Sequence, residues 1–143
     1  MRFDREAFAR ACEDAATAAE RCRLAAPGSD WPRWIETPAP WWPIVESFAQ
    51  GVNRSGLAIA VSQVKEKFGG LVIHYGLKPD GGHHPRIDAL VDAAEDAASC
   101  TCEGCGARGQ LDNVGNWLRV VCFACRKKFA PPPEGRDLWP EDR

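Results

Sequence analysis

The chain has 143 residues, 45% of them apolar and 27% charged, a length that predicts one domain or at most two small ones. These values exclude a wholly disordered chain, a collagen-like repeat and a long coiled coil, and no apolar run is long enough to span a membrane. The formal charge of −2 and a pI near 5.9 disfavour a general nucleic-acid binder, which carries a basic excess.

Two residue types stand out. There are seven cysteines, and six tryptophans against one tyrosine. The N-terminus, Met1-Arg2-Phe3-Asp4-Arg5-Glu6, has neither an apolar h-region nor a cleavage site, so the expected location is the cytoplasm, where thiols stay reduced. An odd cysteine count also precludes full internal pairing, which points to metal ligands and buried thiols.

Residues 4–25 predict an amphipathic helix with Phe8, Cys12, Ala15, Ala19 and Cys22 on one stripe. Asp4 is placed to cap it, Phe3 and Phe8 to staple it, and Pro27-Gly28 to end it. Residues 26–43 hold four tryptophans and five prolines. So many prolines preclude a regular helix or a central strand, and predict an irregular wrap anchored by large rings. Pro43 then suits the first turn of a short helix carrying Ile44, Val45 and Phe48, ended by Gly51 or Gly56.

Residues 57–76 alternate between apolar and small or polar side chains, which predicts a β-hairpin with its tip at Lys67-Phe68-Gly69-Gly70. Pro85 opens a further amphipathic helix with Ile87, Leu90, Val91, Ala94 and Ala98 on its apolar stripe. Residues 117–121 read as the return strand of a second hairpin, after a turn near 113–116. The tail from residue 131 is proline-rich and charged and reads as extended.

Cys102-Glu-Gly-Cys105 and Cys122-Phe-Ala-Cys125 are separated by sixteen residues, the spacing of a structural zinc site. Two intervening residues let both sulfurs of a tight turn face one ion, and two such turns complete a tetrahedron. Four thiolates leave no open coordination position, so one structural Zn2+ is expected. Gly106 lets the chain turn away with little steric restriction. Cys100 is a spare thiol beside the first knuckle, and Cys12 and Cys22 read as small core residues.

His74, His83 and His84 lie within eleven residues. Their functional reading is an enzyme using them with Asp80 or Glu66, and their structural reading is a solvated loop. An HNH-type nuclease would carry histidines between its cysteine knuckles, and residues 106–121 contain none. Arg126, Lys127 and Lys128 are candidate phosphate contacts. Trp31, Trp34, Trp41 and Trp42, with Lys65, Lys67 and Phe68, are candidate partner contacts, because tryptophan is enriched at interface hot spots. Core or cover is the competing reading of the tryptophans.

The string Gln63-Val64-Lys65-Glu66-Lys67-Phe68-Gly69-Gly70-Leu71, followed by Ser99-x-x-Cys102-x-x-Cys105-Gly106, then Gly115-x-Trp117 and a second knuckle, resembles a family of small phage and prophage proteins, mostly of unknown function. The resemblance covers roughly residues 42–126. Where that pattern continues with a basic residue and an aromatic, this chain has Val72 and Ile73. It implies a mobile-element setting in a bacterial host cytosol, and it supplies no catalytic residue.

The expected architecture is α+β. Residues 1–99 form helices on a β-hairpin or small antiparallel sheet, residues 100–130 a zinc ribbon packed on it, and residues 131–143 a tail. The expected function is a non-enzymatic protein binder, an inhibitor or accessory of the immunity or anti-defence type. Nucleic-acid binding through the ribbon with Lys65 and Lys67 is the second reading, and the histidine enzyme the third.

Overall fold

The computed structural model describes residues 4–129; the expected tail and the Phe3 half of the staple fall outside that range. Helix α1 spans Arg5–Ala25, and Asp4 caps it by accepting from the Ala7 N–H at 3.0 Å. The expected stripe is realised only in its second half. Ala18, Ala19 and Cys22 are buried, whereas Phe8 and Cys12 stand at the surface. From Ala15 onward the helix turns a face to the body, and the Ala15 carbonyl accepts from the Ile35 N–H at 3.3 Å.

Burial, reinforced by the negative Glu46, pushes the Cys22 thiol up to about 12. The folded chain therefore holds this proton where an unfolded chain, with a thiol near 8.5, has released it. The resulting stability is intact below the unfolded value and is lost as pH rises toward 12. Urea midpoints at pH 8 and pH 10 are expected to fall further in the wild type than in Cys22→Ala.

Residues 26–43 wrap the body as expected and also do something the prolines concealed. Asp30 and Glu36 make isolated parallel bridges to Ala60 and Lys65. The Asp30 N–H donates to the Ile59 carbonyl at 2.9 Å, and the Glu36 N–H to that of Val64 at 2.8 Å. The segment thus covers an edge of the first hairpin at two points without forming a strand, which suits the absent N–H of Pro32. Trp31 and Trp41 are buried, and each indole N–H finds a carbonyl, that of Ala26 at 3.2 Å and that of Thr101 at 2.9 Å. Trp31 meets Phe48 edge to face, with ring centroids 6.0 Å apart. A single 3-10 turn, Ala39–Trp41, leads into α2, Trp42–Ser55.

Pro43 lies in the first turn of α2 and Gly56 ends it in the left-handed region, φ 76°. Gly51 does not end the helix: it is buried where the Leu90 side chain crosses. The hairpin comprises β1, Ile59–Lys67, and β2, Gly70–Leu77, paired antiparallel. A register shift between Val61 and Gln63 moves the next inward residue to Val64, so the simple alternation of β1 fails after Val61. Such a bulge re-aims the following side chains.

Helix α3, Pro85–Ala98, packs against α2 and β2 and buries Ile87, Ala94 and Ala98. Strands β3, Gln110–Val114, and β4, Trp117–Val121, form a second antiparallel hairpin around Gly115-Asn116. Helix α4, Phe123–Phe129, follows; the sequence pattern did not reveal it. Among the described residues the fold is α+β, four helices with two antiparallel hairpins. The main core runs from Ala18 through Trp41, Val45, Val52, Ile59 and Ile87 to Val120 of β4, so the second hairpin shares the body's core.

Candidate metal centre

Cys102 and Cys105 lie on the turn after α3. Cys122 follows β4, and Cys125 sits on the first turn of α4. The β3–β4 hairpin, closed by two positive-φ residues (Gly115 at 61° and Asn116 at 67°), returns the chain so that the knuckles meet. Beyond Cys105, Gly106 has a φ of 83°, with Pro40 alongside, as the glycine predicted. A small second core of Cys102, Val114, Val121 and Cys125 encloses the site.

The four ligand sulfurs all lie within 4.8 Å of one another. The Sγ atoms of Cys105 and Cys122 are 3.7 Å apart, far beyond a disulfide length of about 2.05 Å. An ion bound to four thiolates at about 2.3 Å sets tetrahedral edges of about 3.8 Å, in agreement with that spacing. Backbone N–H groups of Gly104 and Cys125 donate to the Cys102 and Cys122 sulfurs, each at 3.3 Å. Burial raises the Cys102 thiol, but hydrogen bonds from the backbone at Cys122, Gly104 and Cys105 outweigh it and bring it down to about 6. Cys125 is pushed up to about 12 by burial and its bonds to the other three sulfurs. Such a cluster is built to exchange protons for a cation, and it is the one such group of cysteine, histidine or carboxylate ligands among the described residues. Cys100 stays outside it, its thiol directed to the Asp96 and Ala97 carbonyls.

Glu103, between the first two ligands, went unnoticed in the sequence. Its side chain is buried; Oε2 accepts from the Val120 N–H at 2.8 Å, while its own N–H donates to the Val120 carbonyl at 2.7 Å. Arg119 lies 3.9 Å from Oε1. Burial holds this carboxyl above its usual range against the pull of Val120 and Arg119. The residue clamps the first knuckle to β4. Glu103→Ala is expected to cost about 1–3 kcal/mol in urea unfolding, because it strands a buried N–H. Nothing in a C-x-x-C string marks the middle residue for this task; it emerges from the strand register.

The histidines are placed differently from the expected pairing with Asp80 or Glu66. Both carboxylates serve their own turns, Asp80 accepting from the Gly82 N–H and Glu66 from the Gly69 N–H. His83 instead lies over the Tyr75 ring, with centroids 4.7 Å apart, and 3.4 Å from Asp88, which also accepts from the Tyr75 hydroxyl at 2.5 Å. Burial and the bond to Asp88 hold that phenol above its usual range. His84 caps α3 through Nδ1, and His74 is exposed on β2. This arrangement ties the 78–84 loop to α3.

Among the candidate partner contacts, Trp31 and Trp41 are withdrawn into the core and present no surface. Trp42 is half-buried with its N–H on the Thr37 carbonyl, and Trp34 is exposed beneath Arg33. Lys65 is half-buried and Lys67 exposed. Phe68 is 70% exposed at φ 53°. Next to it, Gly69, at φ 79°, lies so close to the Leu111 side chain that a Cβ would crowd it, with the backbone of Leu118 and Arg119 in van der Waals reach. The tip of the first hairpin therefore rests on the second. Leu111 and Leu118 are also exposed, and the apolar surface gathers where the two hairpins meet.

These features define a small α+β protein whose C-terminal ribbon carries a four-cysteine site able to hold a metal ion. Comparison with known proteins returns no significant match among family models, curated proteins or solved structures. No helix among the described residues is long and apolar enough to cross a membrane.

Proposed function

We propose that this chain is a non-enzymatic, zinc-stabilised protein-binding module of a mobile genetic element. It acts as an inhibitor or accessory on a partner in the bacterial cytosol. The all-thiolate donor set favours zinc, filled on all four sides, and so gives the metal a structural task. The mobile-element setting rests on the motif resemblance.

Phe68 carries the binding reading. A bulky residue in the left-handed region costs about 1–2 kcal/mol, and the ring is exposed. Lys67 lies 5.7 Å from the ring centroid, which returns only about 0.5–1 kcal/mol at an exposed site. Strain of this kind persists where surrounding structure enforces it, and it clusters at functional positions. Leu111 and Leu118 extend the surface beside it.

Phe68→Asn places the Asn-Gly pair favoured in such turns, so the variant is expected to be more stable by about 0.5–1 kcal/mol in urea unfolding. The same change is expected to abolish a stoichiometric complex reconstituted from purified chain and partner, with Trp34→Ala leaving it intact. Turnover of a substrate by a chain that forms no such complex would overturn the proposal.

A further inference from the structure

We propose that the outer side of the ribbon binds single-stranded nucleic acid, by a surface separate from the Phe68 tip. A groove of about 370 Å³ runs between β3 and α4, lined by Arg108, Gln110, Asp112, Cys122, Phe123 and Arg126. At its rim Phe123 is 84% exposed, and the Lys127 ammonium stands 5.9 Å from its ring centroid. An exposed aromatic ring with a cation beside it is the element on which an unstacked base rests while its phosphates are held.

The charges around the groove support this occupant. Residues 100–129 contain five basic and two acidic residues. Glu103 is buried against β4, and Asp112 is occupied by Arg126, whose guanidinium holds that carboxyl below its usual range. Arg108, Lys127 and Lys128 form no ion pair with a carboxylate among the described residues. The acidic excess of the chain lies elsewhere, as on α3, with Asp88, Asp92, Glu95 and Asp96 against Arg86. A bound divalent ion with four thiolates adds two negative charges, so the field is modest. Duplex binding, which relies on a dense phosphate array, is not expected. A single strand combining one stacked base with about three phosphate contacts is.

The test uses the full metal-loaded chain and fluorescein-labelled dT12 in an anisotropy titration. Three phosphate contacts predict a slope near −2 for log affinity against log salt, a loss of roughly fifteenfold between 50 and 200 mM. Phe123→Ala is expected to weaken binding by about tenfold through lost stacking, and the exposed ring makes this variant safe for the fold. Joint replacement of Lys127 and Lys128 by Gln should cut the slope to about −0.7, with Phe68→Asn leaving affinity unchanged. Loss of dT12 binding in Phe68→Asn as well would merge the two surfaces and overturn their separation. The proposal also fails if dT12 shows no salt-dependent binding at 50 mM, if Phe123→Ala binds as the wild type does, or if a duplex or a poly-glutamate peptide binds as tightly. The last result would assign the face to an acidic protein segment.

Discussion

Cys125→Ser, or removal of the metal by a strong chelator, is expected to lower the thermal midpoint more than any surface substitution in the chain. Zinc-finger peptides draw about 10–16 kcal/mol of apparent binding energy from such a site, and domains of this size are stable by only about 5–15 kcal/mol in total. Cys102, Val114, Val121 and Cys125 make up nearly all the second core, so little apolar surface would hold the ribbon without the ion. The damage should also spread. Val120 belongs to the main core, and Thr101, beside the first ligand, receives the Trp41 indole N–H. Thermal melts followed by circular dichroism, together with metal analysis, check this. One zinc per chain and a melt that collapses on chelation is the expected result. Chelation that strips the metal and leaves the melt unchanged would refute a structural ion.

Trp41→Ala is expected to cost about 3–5 kcal/mol, the range for deleting a large buried aromatic. Trp41 has no exposed surface, and it is the largest fully buried side chain in the body. Its loss opens a cavity beneath the 3-10 turn and also strands the Thr101 carbonyl. Trp41→Phe separates these effects: it keeps most of the ring volume and loses the 2.9 Å hydrogen bond, a change worth about 0.5–1.5 kcal/mol. Urea unfolding of both variants gives the difference. Equal losses would place the whole effect in the hydrogen bond.

The elements that proved legible are those whose signal is local. Asp4 caps α1, Pro43 and Pro85 start their helices, and both turns lie where glycine or asparagine marks them. The convergence of the four cysteines was legible because the spacing of two C-x-x-C knuckles is itself a short-range geometric constraint. Failures came where packing from a distant segment decided the outcome. Phe8 and Cys12 have helical periodicity, yet both stand at the surface. Trp31, Trp34, Trp41 and Trp42 share one composition, and only the path of residues 26–43 sorts them into core and surface. Glu103 and the Tyr75–His83–Asp88 cluster depend on which side chains meet across the register, and a single sequence does not encode that in any short pattern.

The bridges from Asp30 to Ala60 and from Glu36 to Lys65 join positions about thirty residues apart, whereas β1 and β2 close over a two-residue turn. Loop-closure entropy therefore sets an order of events. The hairpin forms first, on a scale of about 1–10 μs, and the proline-rich segment docks afterwards on a finished edge. In the interval β1 presents open N–H and C=O groups that another chain can occupy. Self-association is consequently expected during synthesis and refolding, rising with concentration, while the mature molecule has that edge bridged at Asp30 and Glu36. Rapid dilution to low concentration should thus raise refolding yield without altering the stability of the product.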